Sequence, residues 1–282
     1  MLGSCLTKVL SESFGEVVEV NRSGEQVVST SKVVRITGLN ERNLEDAFNG
    51  LQLDYVINAV GLIRQLINDA SPADEKLAFE VNTEFPINLE NFCDYKGIKV
   101  IQIGTDCVFD GESGDYSETD EFNAIDLYGI SKLQGELSLK STMTIRTSIV
   151  GKEIKTRVSL LEWFLGQPIS ADVRGFTNHY WNGVTTLAFS KVISGIIREE
   201  NFESSTIHLI PKDKVSKYEL LNEFKRAFNR NDLNLEPVEA ERSVDRTLKT
   251  NSPLKNSSLW RNAGYNSIPS IAELITEYAE WH

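Results

Sequence analysis

The sequence predicts an α/β fold in which a parallel sheet has helices on both faces. Three segments with the length and apolar character of buried strands, residues 54–61, 99–103 and 144–146, occur in the first part of the chain. Helical patterns at 74–95 and 127–139 separate them. Strands that alternate with helices at this spacing favour a parallel sheet flanked on both sides.

Shorter segments extend this pattern along the chain. They are expected helices at 2–13, 44–48, 160–165, 185–197 and 217–228, and expected strands or apolar patches at 16–20, 33–36 and 206–209. Gly, Asn, Ser and Pro punctuate 229–269, which favours irregular structure there. We expect the two halves to pack together, with the ligand site in the cleft between them.

Composition narrows the class of protein. The 282 residues are 40% hydrophobic and 25% charged, as in an ordinary soluble protein. No apolar run approaches the roughly 18–20 residues that span a bilayer. The first residues lack the pattern of a secretory signal, so we expect a cytoplasmic location and no membrane partner. A net charge of −12 disfavours nucleic acid, although a few arginines and lysines can still form a pocket for a small anion.

Neither disulfides nor a metal site are expected. The three cysteines are far apart and odd in number, and the three histidines do not cluster with them. These residues are Cys5, Cys93 and Cys107, and His179, His208 and His282.

The main chemical signal is the pair Tyr128 and Lys132, four residues apart inside a predicted helix. Residues at i and i+4 share a helix face, so both head groups can reach one cleft. A free phenol has a pKa of about 10, and a nearby ammonium group lowers it. The pair can then deliver a proton to a carbonyl oxygen. The alternative is a chance spacing on a helix surface.

Thr105 favours the catalytic interpretation. In the segment KVIQIGTDCVFDG it follows the predicted strand 99–103, at the end where open parallel sheets place ligand-binding groups. Its hydroxyl can donate to a substrate carbonyl beside Tyr128, and the adjacent Asp106 is a second candidate for substrate contact. The alternative is a turn residue that caps its own backbone.

The same segments resemble a known family. GTDCVFDG (104–111), GDYSETD (114–120) and DLYGISKLQGE (126–136) are similar, in order and spacing, to the dTDP-4-dehydrorhamnose reductases, which are extended short-chain dehydrogenases/reductases. The resemblance covers most of the chain and thins after about Asn229. The further matching segments are VINAVG (56–61), VNTEFP (81–86), IRTSIVG (145–151) and GFTNHYWNG (175–183).

The resemblance implies a Rossmann-like, doubly wound parallel sheet with a smaller C-terminal substrate-binding part. Residues 1–150 would bind NADP, and 151–282 would mainly bind substrate, with some segments returning to the core. The implied activity is NADPH-dependent reduction of the 4-keto group of a nucleoside-diphosphate 4-keto-6-deoxysugar, in deoxysugar or surface-polysaccharide biosynthesis. Thr105, Tyr128 and Lys132 would be catalytic, with Tyr128 and Lys132 also at the cofactor. A homodimer is the candidate assembly.

The segment Asn21-Arg22-Ser23 bears on the choice of cofactor. In Rossmann domains an acidic residue near this point binds the ribose 2′-hydroxyl, whereas an arginine accommodates a 2′-phosphate. No carboxylate follows the predicted strand 16–20 directly, which favours NADPH, with NADH as the alternative. A polar turn would explain the same residues. The resemblance also places three residues beside the adenosine or pyrophosphate of the cofactor, namely Asn58, Ala59 and Gly61.

The beginning of the chain departs from the family pattern. Family members start with a β-strand and a GxxGxxG turn, whereas here Gly3 matches only the last glycine of that turn. Roughly ten residues of the βα unit are absent by comparison, and their backbone N–H groups would hold the pyrophosphate. Either the start is misassigned or the chain is a degraded or regulatory relative.

Four arginines are candidates for the substrate diphosphate, because a guanidinium group matches its geometry. They are Arg64, Arg174, Arg242 and Arg246. The segment 242–248 resembles a substrate-binding segment of the family. A solvated surface charge is the alternative for each arginine.

Two other functions stay open. An epimerase or dehydratase shares the Tyr–Lys spacing but recycles its cofactor, so net consumption of NADPH would distinguish the reductase. A non-catalytic subunit that binds a sugar nucleotide or NADP, like the regulatory beta subunit of methionine adenosyltransferase, has no need of Thr105, Tyr128 and Lys132 together.

Overall fold

The computed structural model describes residues 1–26, 29, 31–153 and 158–282. Its α-helices are Leu2–Ser13 (α1), Glu41–Phe48 (α2), Pro72–Phe79 (α3), Phe85–Tyr95 (α4), Leu127–Ser138 (α5), Leu160–Leu165 (α6), Thr186–Arg198 (α7), Lys217–Ala227 (α8), Pro253–Asn262 (α9) and Ile271–Trp281 (α10). Its β-strands are Val18–Asn21 (β1), Lys32–Arg35 (β2), Tyr55–Asn58 (β3), Lys99–Ile103 (β4), Met143–Arg146 (β5), Ile149–Val150 (β6), Asp172–Phe176 (β7), His179–Trp181 (β8), Val184–Thr185 (β9), Thr206–His208 (β10), Val215–Ser216 (β11), Asn234–Val238 (β12) and Val244–Asp245 (β13). Within these ranges, no helix is both long and apolar enough to cross a bilayer.

A parallel sheet in the order β10-β5-β4-β3 forms the centre of the fold. Ile101 of β4 is in register with Met143 of β5, and Tyr55 of β3 with Lys99 of β4. β1 and β2 pair in parallel as a separate ladder. Parallel strands share one carboxyl edge, and helices connect them, so the predicted α/β class is confirmed.

Both faces of the central strands are buried. On one face, Ile101 and Met143 pack in a cluster with Trp260 of α9 and with residues of α1 and α7. On the other face, Val100 packs with Phe92 of α4 and with residues of α2. Adjacent strand residues point to opposite faces, and cover on both sides explains the nearly continuous apolar sequence of β4.

The second half of the chain adds three small sheets. β7 pairs with β12 and β6 with β9, both in parallel, while β8 lies between β11 and β13. Phe164, Trp181 and Phe224 are among the buried residues of this part. One strand from this half, β10, pairs with β5 in the main sheet.

The segment 229–269 is more regular than its composition indicates. It contains β12, β13 and α9, where irregular structure was expected. The first turn of α9 holds Pro253, which a helix tolerates because the first N–H groups have no helical partner. Its buried residues Leu259 and Trp260 pack in the same cluster as residues of α7. Tertiary burial, which the local pattern does not display, stabilises this helix.

The predicted helix 74–95 is present but interrupted. α3 and α4 flank a π-helical segment at Glu80–Glu84. Pro86 lies in the first turn of α4 and has no N–H to give to the carbonyl of Asn82, four residues earlier. A proline at this position accounts for a wider turn.

Candidate active site

The end of β4 and the start of α5 bring the three predicted catalytic residues together. Thr105 follows β4 and is only 6% exposed, while Tyr128 and Lys132 lie one turn apart on α5. The Thr105 hydroxyl lies beside the Tyr128 phenol. The Lys132 ammonium group donates to the carbonyl oxygen of Ile103 at 2.8 Å. A hydroxyl, a phenol and an ammonium group therefore meet at the carboxyl edge of the sheet.

Thr105 also has the turn role that was the alternative interpretation. Its side-chain oxygen accepts a hydrogen bond from the N–H of Cys107 at 3.2 Å and caps a short 3-10 turn at Asp106–Val108. Its hydroxyl lies 3.2 Å from a carboxylate oxygen of Asp106. The two roles are compatible, because the cap holds the hydroxyl beside Tyr128.

Burial determines the protonation of both head groups. It lowers the pKa of Lys132 to about 8, against the opposing effect of the Glu136 carboxylate. It raises the pKa of Tyr128, with Cys107 acting in the same direction and Thr105 opposing. The sequence predicted that Lys132 would lower the pKa of the phenol, but here the shift is upward because desolvation outweighs the other effects. Tyr128 is therefore protonated at neutral pH, which is the form that can donate a proton.

Two glycines let α5 approach its neighbours at backbone distance. A β-carbon on Gly129 would lie 2.1 Å from the carbonyl oxygen of Cys107. A β-carbon on Gly135 would lie 2.2 Å from the carbonyl oxygen of Asn82, in the π-helical segment. These two contacts fix the position of α5 against the turn after β4 and against the π-helical segment.

Asp126 fixes the first turn of α5. Its carboxylate accepts a hydrogen bond from the N–H of Gly129 at 2.8 Å and pairs with Nε of Arg64 at 3.2 Å. Arg64 also pairs with Asp69 at 3.0 Å. This arginine, one of the candidates for diphosphate binding, thus joins the segment after β3 to the helix that bears Tyr128.

Asn82 forms a second connection between these elements, and sequence reasoning gave it no role. Its side chain is 2% exposed and donates to the carbonyl of Leu62 at 3.0 Å and to the hydroxyl of Ser131 at 3.1 Å. Its side-chain oxygen accepts from the N–H of Leu62 at 2.9 Å. The segment VNTEFP, which matched the family pattern, was the signal that could have identified it.

The residues at the end of β3 that are expected to contact the cofactor lie at the carboxyl edge of the main sheet. Asn58 is buried and donates to the side-chain oxygen of Gln102 at 2.7 Å. Ala59 and Gly61 follow it and are exposed. Gly3, in the first turn of α1, is their neighbour, since a β-carbon on it would lie 3.7 Å from that of Ala59.

The residues expected to select the cofactor form an exposed turn at the end of β1. The side-chain oxygen of Asn21 accepts from the N–H of Gly24 at 2.7 Å and from the Ser23 hydroxyl at 3.2 Å. The polar-turn interpretation therefore describes Asn21 and Ser23. Arg22 is exposed beside them.

The loop after β4 is bound to the segment 244–249 of the second half. The N–H of Tyr116 donates to the carbonyl of Thr247 at 2.9 Å, and the N–H of Lys249 donates to that of Tyr116 at 2.9 Å. The N–H of Asp245 donates to the carbonyl of Gly111 at 2.7 Å. Two segments that matched the family pattern separately are therefore in direct contact.

The candidate arginines of the second half differ in their contacts with this loop. Nε of Arg246 donates to the carbonyl of Phe109 at 2.8 Å, in the loop that follows Thr105. Arg242 instead forms an exposed ion pair with Glu112 at 2.8 Å. Arg174 is exposed on β7. Arg246 and Arg242 thus both contact the loop after Thr105, Arg246 through a part-buried hydrogen bond and Arg242 through an exposed ion pair.

A buried ionic network extends from α5, the helix that bears Tyr128 and Lys132, and sequence reasoning missed it. Arg146 is fully buried, forms an ion pair with Glu136, and donates to Nε2 of His208 at 2.5 Å. Arginine can only donate, so the proton of the imidazole is on Nδ1, which donates to the carbonyl of Lys249 at 2.7 Å. Glu136 lies four residues after Lys132, so the network adjoins this lysine. No sequence signal joins residues so far apart.

We expect His208 to make the free energy of unfolding fall between pH 7 and pH 5. Burial first, and Arg146 second, lower the pKa of His208 from 6.5 to about 4. The unfolded chain therefore binds more protons between these values, so the stabilisation is complete above pH 6.5 and is lost as the pH falls towards 4. The shift corresponds to about 3 kcal/mol, of which about 2 kcal/mol is lost by pH 5.

Urea unfolding at pH 7 and pH 5 measures this effect. His208→Gln should reduce the difference between the two pH values by about 2 kcal/mol, whereas His179→Gln, at a half-exposed histidine, should leave it unchanged. Equal pH dependence in the wild type and in His208→Gln would show that His208 is not the group that titrates.

The cysteines and acids of the described residues do not form a metal site. No group of His, Cys, Asp and Glu in those residues could hold a metal ion. All three cysteines are free. Burial raises the pKa of the Cys107 thiol to about 12, so this neighbour of Thr105 is not a nucleophilic thiolate at neutral pH.

Comparison with known proteins agrees with this geometry. The family model described as the RmlD substrate binding domain matches residues 1–280. The chain belongs to this family. One curated relative is the probable low-salt glycan biosynthesis reductase of Haloferax volcanii, 30% identical over 141 residues, which are 50% of this chain and 46% of that protein. The dTDP-4-dehydrorhamnose reductase of Mycobacterium tuberculosis is 37% identical over 73 residues, 24% of each chain.

The match thus spans less than half the length of these curated relatives. Solved structures match this chain over more of its length than these curated relatives do. The dTDP-4-dehydrorhamnose reductase of Bacillus anthracis in complex with NADP is 17% identical, covers 95% of this chain and 100% of its own, and has a TM-score of 0.74. At this identity the likeness shows the fold, and it confirms the Rossmann-like class. The resemblance stated from the sequence motifs is also confirmed.

Proposed function

We propose that the chain reduces the 4-keto group of a nucleoside-diphosphate 4-keto-6-deoxysugar with NADPH. The observation that supports this most directly is the meeting of Thr105, Tyr128 and Lys132 at the carboxyl edge of a parallel sheet. Two matched relatives are named as reductases, one of glycan biosynthesis and one of dTDP-4-dehydrorhamnose. These names support our proposal of a role in deoxysugar or surface-polysaccharide biosynthesis.

The proposed chemistry assigns one task to each residue. Tyr128, kept protonated by burial, donates its proton to the carbonyl oxygen. Thr105 holds that oxygen through its hydroxyl, and Lys132 stabilises the phenolate that remains. When bound, the reduced nicotinamide supplies the hydride that the carbonyl carbon receives. A ketone, a hydride and a proton together give the alcohol.

The residues present fit a nicotinamide cofactor in two respects. Lys132 uses one of its three N–H donors on the carbonyl of Ile103, which leaves two for a ribose. Ala59 and Gly61 are small and exposed at the same edge, where backbone can approach a ligand closely. In this proposal residues 1–150 bind NADP through Gly3, Asn58, Ala59, Gly61, Tyr128 and Lys132. Residues 151–282 mainly bind the substrate.

Arg22 is the residue proposed to select NADPH over NADH. Its exposed guanidinium group, at the end of β1, can pair with a 2′-phosphate, which NADH lacks. Arg22→Ala should weaken NADPH binding by about 10-fold, since a charge-assisted contact is worth about 1.5 kcal/mol. NADH binding should stay the same. Fluorescence titration of both cofactors measures the two affinities.

Arg42→Ala is the matched control, because Arg42 is exposed on the neighbouring helix α2. It should leave both affinities unchanged. An equal loss for NADPH and NADH in Arg22→Ala, or no loss for either, would remove Arg22 from the proposal.

Stoichiometry tests the function itself. With a dTDP- or UDP-linked 4-keto-6-deoxyhexose, a reductase consumes one NADPH for each sugar reduced. An epimerase would convert the sugar without net consumption of NADPH. Failure to bind either cofactor would favour the non-catalytic subunit.

A further inference from the structure

Arg146, the last residue of β5, lies directly beside the residue that precedes Thr105. The N–H of Gly104 donates to the carbonyl of Ile145 at 2.8 Å. A β-carbon on Gly104 would lie 3.1 Å from both Cα and Cβ of Arg146. The strand that carries Arg146 is therefore packed at backbone distance against the start of the loop after β4.

The guanidinium group of Arg146 lies over two aromatic rings of that loop. Its Cζ is 5.6 Å from the centre of the Phe109 ring and 5.1 Å from the centre of the Phe122 ring. At these distances a cation is attracted to the face of an aromatic ring. Phe109 is fully buried and follows Thr105 by four residues. The guanidinium group thus contacts the loop at two points.

The same guanidinium group is bound to α5. It forms an ion pair with Glu136, whose side chain is 7% exposed and which lies one turn after Lys132. Its Nη1 donates to Nε2 of His208 at 2.5 Å. One buried planar group therefore connects the loop after β4 with α5 and with β10.

Stability alone gives a weak reason for this arrangement. Burial of an ion pair costs desolvation free energy, and apolar residues of similar size often replace such a pair without loss of stability. Nε of Arg146 is buried and has no hydrogen-bond partner in the part of the chain that the structure describes. A buried donor without a partner lowers the stability further. The positions that Arg146 fixes explain its presence better than its contribution to stability does.

We infer that Arg146 is a positioning residue for the proposed reduction. Through the ring of Phe109 it places the loop that bears Thr105. Through Glu136 it places the helix that bears Tyr128. The inference rests on the proposed function, because that function assigns the hydroxyl and the phenol to the same carbonyl oxygen. Loss of the guanidinium group should therefore lower kcat and leave the binding of the cofactor and the sugar nucleotide unchanged.

A double variant that combines Arg146→Met with Glu136→Gln tests the inference. It leaves neither charge of the pair without its partner, so it should unfold at about the same urea concentration as the wild type. With NADPH and a dTDP- or UDP-linked 4-keto-6-deoxyhexose, its kcat should fall by about 100-fold, since a misplacement of about 1 Å has an effect of this size. The KM for the sugar and the Kd for NADPH should stay within about twofold of the wild type.

A second variant, Arg146→Lys, keeps the charge and a donor for Glu136 but loses the planar group that lies over the two rings. Its kcat should lie between those of the wild type and the double variant. The matched control combines Lys191→Met with Glu277→Gln, which removes a half-buried ion pair between α7 and α10. This control should keep the kcat of the wild type.

Full kcat in the folded double variant would overturn the inference and leave the proposed function intact. A loss of kcat that is matched by an equal loss of NADPH affinity, or by the unfolded fraction, would assign Arg146 a structural role and also overturn the inference. If the double variant does not fold, full kcat in Arg146→Lys has the same meaning. A wild type that reduces none of these sugars with NADPH would end both the proposed function and the inference.

Discussion

Tyr128→Phe is expected to lower kcat by about 10²–10⁴-fold, the usual contribution of general acid catalysis. The variant removes the hydroxyl that we propose passes its proton to the carbonyl oxygen, and it keeps the ring. The affinity for NADPH should change little, because Lys132 and the residues after β3 stay in place. Steady-state rates of NADPH oxidation, together with cofactor titration, separate the two effects.

Tyr95→Phe is the matched control. Tyr95 is 91% exposed at the end of α4 and loses the same hydroxyl group far from the candidate site. Its kcat should equal that of the wild type. Full turnover by Tyr128→Phe would remove Tyr128 from the catalytic role.

Gly129→Ala is expected to reduce both stability and activity. The new methyl group would lie 2.1 Å from the carbonyl oxygen of Cys107 and 3.0 Å from the β-carbon of Ala124. The first of these is a backbone atom, so α5 must move away from the turn after β4. Overpacking of this kind costs about 1–3 kcal/mol of unfolding free energy. A shift of about 1 Å between Thr105 and Tyr128 would lower kcat by about 10²-fold.

Gly15→Ala provides the comparison for Gly129→Ala. A β-carbon on Gly15 meets nothing within 4 Å, and its backbone is not left-handed. Its unfolding free energy and kcat should be close to those of the wild type. Denaturant unfolding and turnover measured on both variants give the comparison. Retention of both quantities by Gly129→Ala would mean that the close contact is not required.

Local patterns were sufficient to predict the centre of this fold and to select the residues now proposed as catalytic. The apolar strands β3, β4 and β5 and the helix α5 each show their character within a short segment, because burial on both faces or one periodic face determines their composition. Thr105 directly follows the turn at the end of β4, and Tyr128 and Lys132 lie on α5. Their meeting could be predicted because a strand end and the next helix are neighbours in a parallel sheet.

Features that depend on distant residues were not predictable. Arg146, Glu136 and His208 become a network only when β5, α5 and β10 pack together. The sign of the pKa shift of Tyr128 was wrong because desolvation depends on packing, which the sequence pattern does not display.

Transfer of deuterium from NADPH to the sugar tests the proposed reduction. NADPH deuterated at C4, prepared separately on each face, is incubated with the protein and a dTDP- or UDP-linked 4-keto-6-deoxyhexose. The sugar product is then analysed by mass spectrometry and NMR. We expect one of the two deuterated cofactors to give a sugar product with one deuterium at C4 for each NADPH consumed. We expect Tyr128→Phe to form little of this product. A product without deuterium from either cofactor, or conversion of the sugar without loss of NADPH, would contradict the proposed NADPH-dependent reduction at C4.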